Sequence, residues 1–138
     1  MTQVIEKTRP HKTTLTDQEL ESFKKLILAK RKDAEEELAS LRNNLKNMID
    51  ADDSDQSSNA HHIADVGSDE GEIQMYYQLI ERSRAFVNQL NRALERIENK
   101  TYGICRATGK PISIGRLKAV PHTRYGIEAK NKGLDKTR

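Results

Sequence analysis

The residues of this chain that could do chemistry fall in two places. The first is the run His61-His62-Ile63-Ala64-Asp65-Val66-Gly67-Ser68-Asp69-Glu70. Adjacent histidines point different ways on any regular element and lack the i, i+4 spacing of a helical zinc pair, so His61 and His62 are not read as metal ligands. Asp65 and Asp69 are four apart and would converge if a helix begins early, which is how two carboxylates come to hold a catalytic metal ion. A plainer role is structural: Ser68 or Asp69 caps a following helix, and Asp69, Glu70 and Glu72 complement the positive end of its dipole. Capping leaves Ile63, Ala64 and Val66 unaccounted for, and apolar residues in so polar a stretch suit a tip that meets a partner. The second place is Cys105, the single cysteine, which excludes both an intramolecular disulfide and an all-cysteine metal site. No glycine-rich phosphate loop, nucleophile elbow or Cys/His catalytic pair is present.

The elements that must position these residues are constrained by composition. The 138 residues are 35% apolar and 33% charged, with no Trp and two Phe, too little to fill a broad core or wall a large buried cleft. No apolar run of about 18 residues occurs, and Met1 to Thr14 lack the apolar stretch of a secretory signal, so a cytoplasmic protein without membrane contact is expected. Charge is segregated: residues 50–72 hold eight acids and no base, while residues 100–138 hold ten bases against two acids. The basic end has no base-reading helix signature, and sequence-specific DNA contact is not expected.

Thr16 and Glu19 fit a capping box at a helix start. Beyond it Leu20, Ile27, Ala34, Leu41 and Met48 fall seven apart, joined by Leu38 and Leu45; Lys24 and Arg31 take the corresponding earlier places, leaving Phe23 and Leu26 or Leu28 to meet a neighbouring module. A second run, Ile73, Tyr76, Ile80, Ser83, Val87, Leu90, Leu94 and Ile97, alternates steps of three and four. The residues between lack any apolar period. Two helices joined by one connector predict an antiparallel coiled-coil hairpin of about 45 Å, thirty residues at 1.5 Å each, with the acidic connector at its far tip. A parallel intermolecular coiled coil is the structural alternative. After Asn99, Gly and Pro punctuation predicts a small module of short extended pieces and turns, with Ile112, Ile114, Leu117, Val120, Tyr125 and Ile127 as its core, leaning on the hairpin base. The expected fold is therefore mainly α: a flexible segment 1–15, a hairpin 16–100 with its acidic tip at about 51–70, a module 101–129 and a basic tail 130–138.

With these features in place, the chain resembles the DksA/TraR family of bacterial transcription regulators. The matching residues are Thr101-Tyr102-Gly103-Ile104-Cys105, Thr108-Gly109-Lys110-Pro111-Ile112, Arg116-Leu117-Lys118-Ala119-Val120-Pro121 and the tip His62-x-x-Asp65-x-Gly67, within a resemblance covering residues 17–130. The family carries a zinc finger with two C-x-x-C pairs, and its ligand positions fall here on Cys105, Thr108, Gly126 and Ala129. Only the first is a zinc ligand, and Cys105 with His122 would be too few, so the finger is read as degenerate and metal-free. The family tip usually reads Asp-x-x-Asp-x-Ala; His62 replaces the first acid, Asp65 keeps the second and Gly67 replaces the alanine.

The resemblance implies a non-enzymatic regulator whose coiled coil enters the secondary channel of RNA polymerase to modulate initiation. The expected polymerase-binding residues are His62, Ala64, Asp65, Val66, Gly67 and Asp69, in a monomer without cofactor. Some family members respond to guanosine tetraphosphate; of the positions concerned, Lys130 is basic, but Gln89 and Val120 do not form a phosphate cluster with it. Three rivals remain: a transcript-cleavage factor using the same channel, a coiled-coil adaptor or homodimer unrelated to polymerase, and nucleic-acid binding by the basic end, which predicts steep salt dependence.

Overall fold

The structure, a computed structural model, describes residues 12–54 and 66–133. Among the described residues there are four helices: α1 (Asp17–Ser54), α2 (Val66–Glu98), α3 (Ile114–Ala119) and α4 (Ile127–Asn131). The sole pairing of extended chain among the described residues is one antiparallel bridge between Ile104 and Pro111. The chain divides into two compact units, one formed by Arg31–Asn88 and the other by the chain up to Lys30 and from Gln89 onward.

The start of α1 is fixed locally. The Thr16 amide donates to Glu19 Oε1 at 2.9 Å, and the Glu19 amide donates to Thr16 Oγ1 at 3.1 Å, so the expected capping box forms. Asp17 and Glu19 add favourable charge in the first turn. The end of α2 is closed differently. Lys100 stands at φ 61°, the Thr101 amide donates to the Arg96 carbonyl at 2.9 Å and the Lys100 amide to the Ile97 carbonyl at 3.2 Å. This is a Schellman closure with lysine where glycine is usual.

In the Arg31–Asn88 unit, Leu38, Leu45 and Ile80 form the buried seam, and Leu41, Ile49, Ile73 and Tyr76 pack against it. Residues late in α1 therefore meet residues early in α2. In the other unit the beginning of α1 meets the end of α2: Lys24 lies 3.8 Å from Glu98 and Lys100 2.9 Å from Asp17. Within each unit the segments of α1 and α2 thus run antiparallel, held by apolar contacts; exposed ion pairs of this kind contribute little.

The other unit buries Leu20, Phe23 and Ile27 of α1 with Leu90, Ala93 and Ile97 of α2. The expected place of Leu94 is taken by Ala93, because the stripe must here serve both the partner helix and the C-terminal module and widens accordingly; Leu94 is only half-buried. Phe23 meets the module as expected, its ring centroid 5.5 Å from that of Tyr102 at a tilt of 46°.

The expected module core is corrected. Ile112 and Leu117 are buried, but Ile114 and Ile127 are 37% and 54% exposed, and Val120 and Tyr125 are half-buried. Ile114 and Ile127 are the first residues of α3 and α4, and it is Leu117 and Ala129, further along each, that are buried. Tyr102, 0% exposed, supplies the missing volume, and its hydroxyl donates to the Pro121 carbonyl at 2.7 Å. Gly103 follows at φ +84°, where a Cβ would come within 3.2 Å of the Leu15 side chain. The boundaries drawn from sequence shift with these contacts. Residues 12–15 are tied to this unit, since the Thr13 amide donates to the Lys100 carbonyl at 2.7 Å, and α4 continues past residue 129 to Asn131.

Candidate functional site

Two sets of residues were singled out by sequence, and the structure treats them differently. Of the tip residues, His62, Ala64 and Asp65 lie outside the described residues. Val66, Gly67 and Asp69, expected in the connector, fall in the first turn of α2. The connector is also shorter at its other end, because α1 runs on through Asp52 and Asp53 to Ser54. Residues 55–65 therefore separate two helix ends whose neighbouring turns are clamped by Leu45, Ile49, Ile73 and Tyr76. Tyr77, beside Tyr76, is about half exposed, and Met75 likewise.

The second set is described in full. Cys105 opens a tight knuckle: its amide donates to the Lys110 carbonyl at 2.8 Å, and its carbonyl accepts from the Gly109 amide at 2.8 Å. The Ile112 amide donates to the Gly103 carbonyl at 2.7 Å, and the Ile104–Pro111 bridge closes the base of the turn. The 2.7 Å bond from the Arg106 amide to the Arg124 carbonyl brings up the second strand of chain, which leads into Gly126 and α4. Thr123 braces that segment, its hydroxyl donating to the Tyr125 carbonyl at 2.9 Å, while Arg116 Nε donates to the same carbonyl at 3.1 Å.

The buried Cys105 sulfur is surrounded by donors. Burial alone would raise its pKa, but hydrogen bonds from the Thr108 hydroxyl and from the amides of Gly126, Thr108 and Ala107 outweigh that cost and hold it below the ordinary thiol value. Three of the four positions matched to zinc ligands, Cys105, Thr108 and Gly126, thus still converge, and Ala129 is buried in the same module. What they converge on does not fit zinc. A closed structural site needs four N, S or O donors around the ion, whereas Gly126 and Ala129 have none on their side chains and the Thr108 hydroxyl is engaged with the sulfur. His122 does not repair the set: burial and then the positive charges of Arg96, Lys30 and Arg116 push its pKa down, and surroundings that repel a proton also repel a dication. Among the described residues no group of three or more His, Cys, Asp or Glu is placed to hold a metal. A side chain at Gly126 would meet no atom within 4 Å, so a donor is missing there rather than the room for one.

Sequence reasoning singled out Cys105 and, through the resemblance, its three matched positions. It missed Tyr102 as the pin of the module, and it missed Arg96, whose Nη2 donates to the His122 carbonyl at 3.2 Å. Tyr102 carried a signal, being the large aromatic of the Thr101–Cys105 string; Arg96 on a polar helix face carried none. Among the described residues no helix is long and apolar enough to cross a membrane.

Comparison with known proteins agrees with this geometry. Residues 100–132 match the family model described as the prokaryotic dksA/traR C4-type zinc finger. The RNA polymerase-binding transcription factor DksA of Caulobacter vibrioides is 30% identical over 118 residues, covering 86% of this chain and 78% of its own. General stress protein 16O of Bacillus subtilis is 36% identical over 69 residues, covering 50% of this chain and 42% of its own. Among solved structures, transcription factor DksA2 from Pseudomonas aeruginosa aligns with a TM-score of 0.71 at 26% identity, covering 85% of this chain and 84% of that one. An antiparallel helix pair carrying a knuckle module, matched at this identity over most of both chains, places this chain in the DksA/TraR family, with one of the four finger cysteines retained.

Proposed function

We propose that this chain is a bacterial transcription regulator that binds RNA polymerase directly, as the name of its Caulobacter relative says of that protein. The observation that supports it most is the apolar seam of the Arg31–Asn88 unit, reaching Ile49 and Ile73, on the two helices that end at Ser54 and begin at Val66 on either side of the segment holding Asp65. In this reading the connector end of the helix pair enters the secondary channel. Eight acids without a base in residues 50–72 are drawn toward basic channel walls or the catalytic magnesium, an attraction that weakens as salt rises. Asp65 makes the principal polar contact near the active centre, and His62, Ala64, Val66, Gly67 and Asp69 shape the surface around it. The chain is not itself an enzyme, works in the cytoplasm where polymerase is, and selects promoters through open-complex stability rather than base contacts.

The finger in this reading is independent of zinc. The Cys105 sulfur, its ring of donors and the Tyr102–Pro121 hydrogen bond hold the module in place of a metal. The test is co-sedimentation with purified core polymerase, followed by open-complex lifetimes with the parent chain and with Asp65→Asn. The expected result is a stoichiometric complex with both, and a change in lifetime that Asp65→Asn abolishes. Absence of a complex overturns the proposal, and so does an unchanged lifetime with the parent chain. Cleavage of backtracked transcripts, abolished by the same variant, would move the assignment to the cleavage-factor reading.

A further inference from the structure

The C-terminal module carries a cleft of about 590 Å³ whose wall includes Arg96 from α2, Arg106 from the knuckle and Arg124 from the segment before α4. None of the residues lining it is acidic. The grouping is built into the backbone, because the bond from the Arg106 amide to the Arg124 carbonyl fixes two of the three arginines against each other. The third stands at the Schellman turn, where Arg96 both accepts the Thr101 amide on its carbonyl and reaches the His122 carbonyl with Nη2. Thr101 and Thr108 add hydroxyl-bearing side chains to the same wall.

We propose that this cleft binds a small phosphate-bearing anion, an oligophosphate or the phosphate chain of a phosphate ester. Guanidinium groups present planar forks that match phosphate oxygens, and three of them line one wall. The volume lies within the range of small-ligand sites and is larger than a single carboxylate needs. No aromatic face lines the cleft, so the phosphate chain and not a stacked base is the recognised part. The electrostatics point the same way. Arg96 is pushed down to about 10, by burial first and then by the charge of Arg124, with Arg92 adding to the effect and Tyr102 and Glu95 opposing it. Holding these charges together is costly, and an anion between them relieves the cost. The site is separate from Gln89, Val120 and Lys130, none of which lines the cleft.

The test uses the full chain and inorganic pyrophosphate as probe, with arginine Nε–H resonances and thermal unfolding as readouts. The expected result is saturable shifts of the Arg96, Arg106 and Arg124 signals and a rise in unfolding temperature that sodium chloride at matched ionic strength does not reproduce. Arg106→Ala, whose side chain is exposed and whose backbone bond to Arg124 is untouched, weakens binding at least tenfold with its own unfolding temperature unchanged in the absence of probe. Arg124→Lys keeps the charge without the fork and weakens it less than Arg106→Ala. A second arm replaces pyrophosphate with a nucleoside diphosphate: equal affinity identifies the phosphate chain as the determinant and supports the proposal, whereas tight binding of the nucleotide with none of pyrophosphate overturns it. Shifts that do not saturate, shifts that survive Arg106→Ala, or binding of DNA or RNA strands alone overturn it as well. None of these readouts involves polymerase, so failure here leaves the transcription assignment standing.

Discussion

If the finger is held by packing instead of metal, the residue that pins it sets its stability. Tyr102 is fully buried, stacks at a tilt on Phe23 and donates its hydroxyl to the Pro121 carbonyl at 2.7 Å. Burial, opposed only in part by the charge of Arg96, pushes its pKa well above that of a free tyrosine, so the hydroxyl stays protonated and remains a donor. Tyr102→Phe keeps the ring and removes the donor, leaving a buried carbonyl without it, which costs about 1–3 kcal/mol. Against a total stability of about 5–15 kcal/mol that is a large fraction, and with an m-value of about 2 kcal/mol/M it moves the urea midpoint by roughly 1 M. Combining Tyr102→Ala with Phe23→Ala isolates the ring pair, expected to couple by about 0.5–1.5 kcal/mol beyond buried area. The assay is urea unfolding by circular dichroism, with and without a strong zinc chelator. The parent midpoint should be the same in both, and Tyr102→Phe should lower it equally in both. A chelator-dependent parent midpoint, or a Tyr102→Phe change under about 0.3 kcal/mol, would refute the reasoning, since either leaves the module held by something else.

Three further outcomes are expected. Thr108→Cys, Gly126→Cys and Ala129→Cys together should create one tetrahedral zinc site with Cys105, because position 126 has open space and the four positions share one module; cobalt substitution should give a thiolate charge-transfer band, and its absence would show that the positions do not converge as matched. The pKa of His122 is lowered in the fold from the ordinary 6.5, so its contribution to stability is fully present above that value and is lost as pH falls through the folded value. Unfolding should therefore become easier as pH falls below 6.5, and His122→Gln should flatten that limb. Thr16→Ala removes the oxygen that accepts the Glu19 amide and should cost about 1 kcal/mol, while Thr16→Ser should restore most of it.

Features set by near neighbours in sequence were legible before the structure. The Thr16–Glu19 box involves residues three apart, and the seam through Leu38, Leu45 and Ile80 follows from helical period alone. Features set by distant contacts were not. Ala93 enters the core in preference to Leu94 because the helix base faces two partners, and Ile114 and Ile127 lie exposed because α3 and α4 each bury only a residue further along. The acids Asp52 and Asp53 suggested a loop by composition, yet α1 includes them, since a helix already propagating adds residues at little cost. The cleft arginines sit at positions 96, 106 and 124, a spacing with no local meaning until one backbone hydrogen bond joins the second to the third. The expectations for the tip and for the ligand positions came from family resemblance; periodicity alone would have left them as a polar connector and a lone cysteine.

The most direct test of the central claim is a photo-crosslinking amino acid placed at Asp65 and irradiated in complex with core RNA polymerase. Crosslinks confined to the walls of the secondary channel and the active centre, competed by unlabelled parent chain and reduced at high salt, are the expected result. A chain that forms no complex, or that crosslinks through residue 65 only to the outer surface of polymerase, would contradict the account.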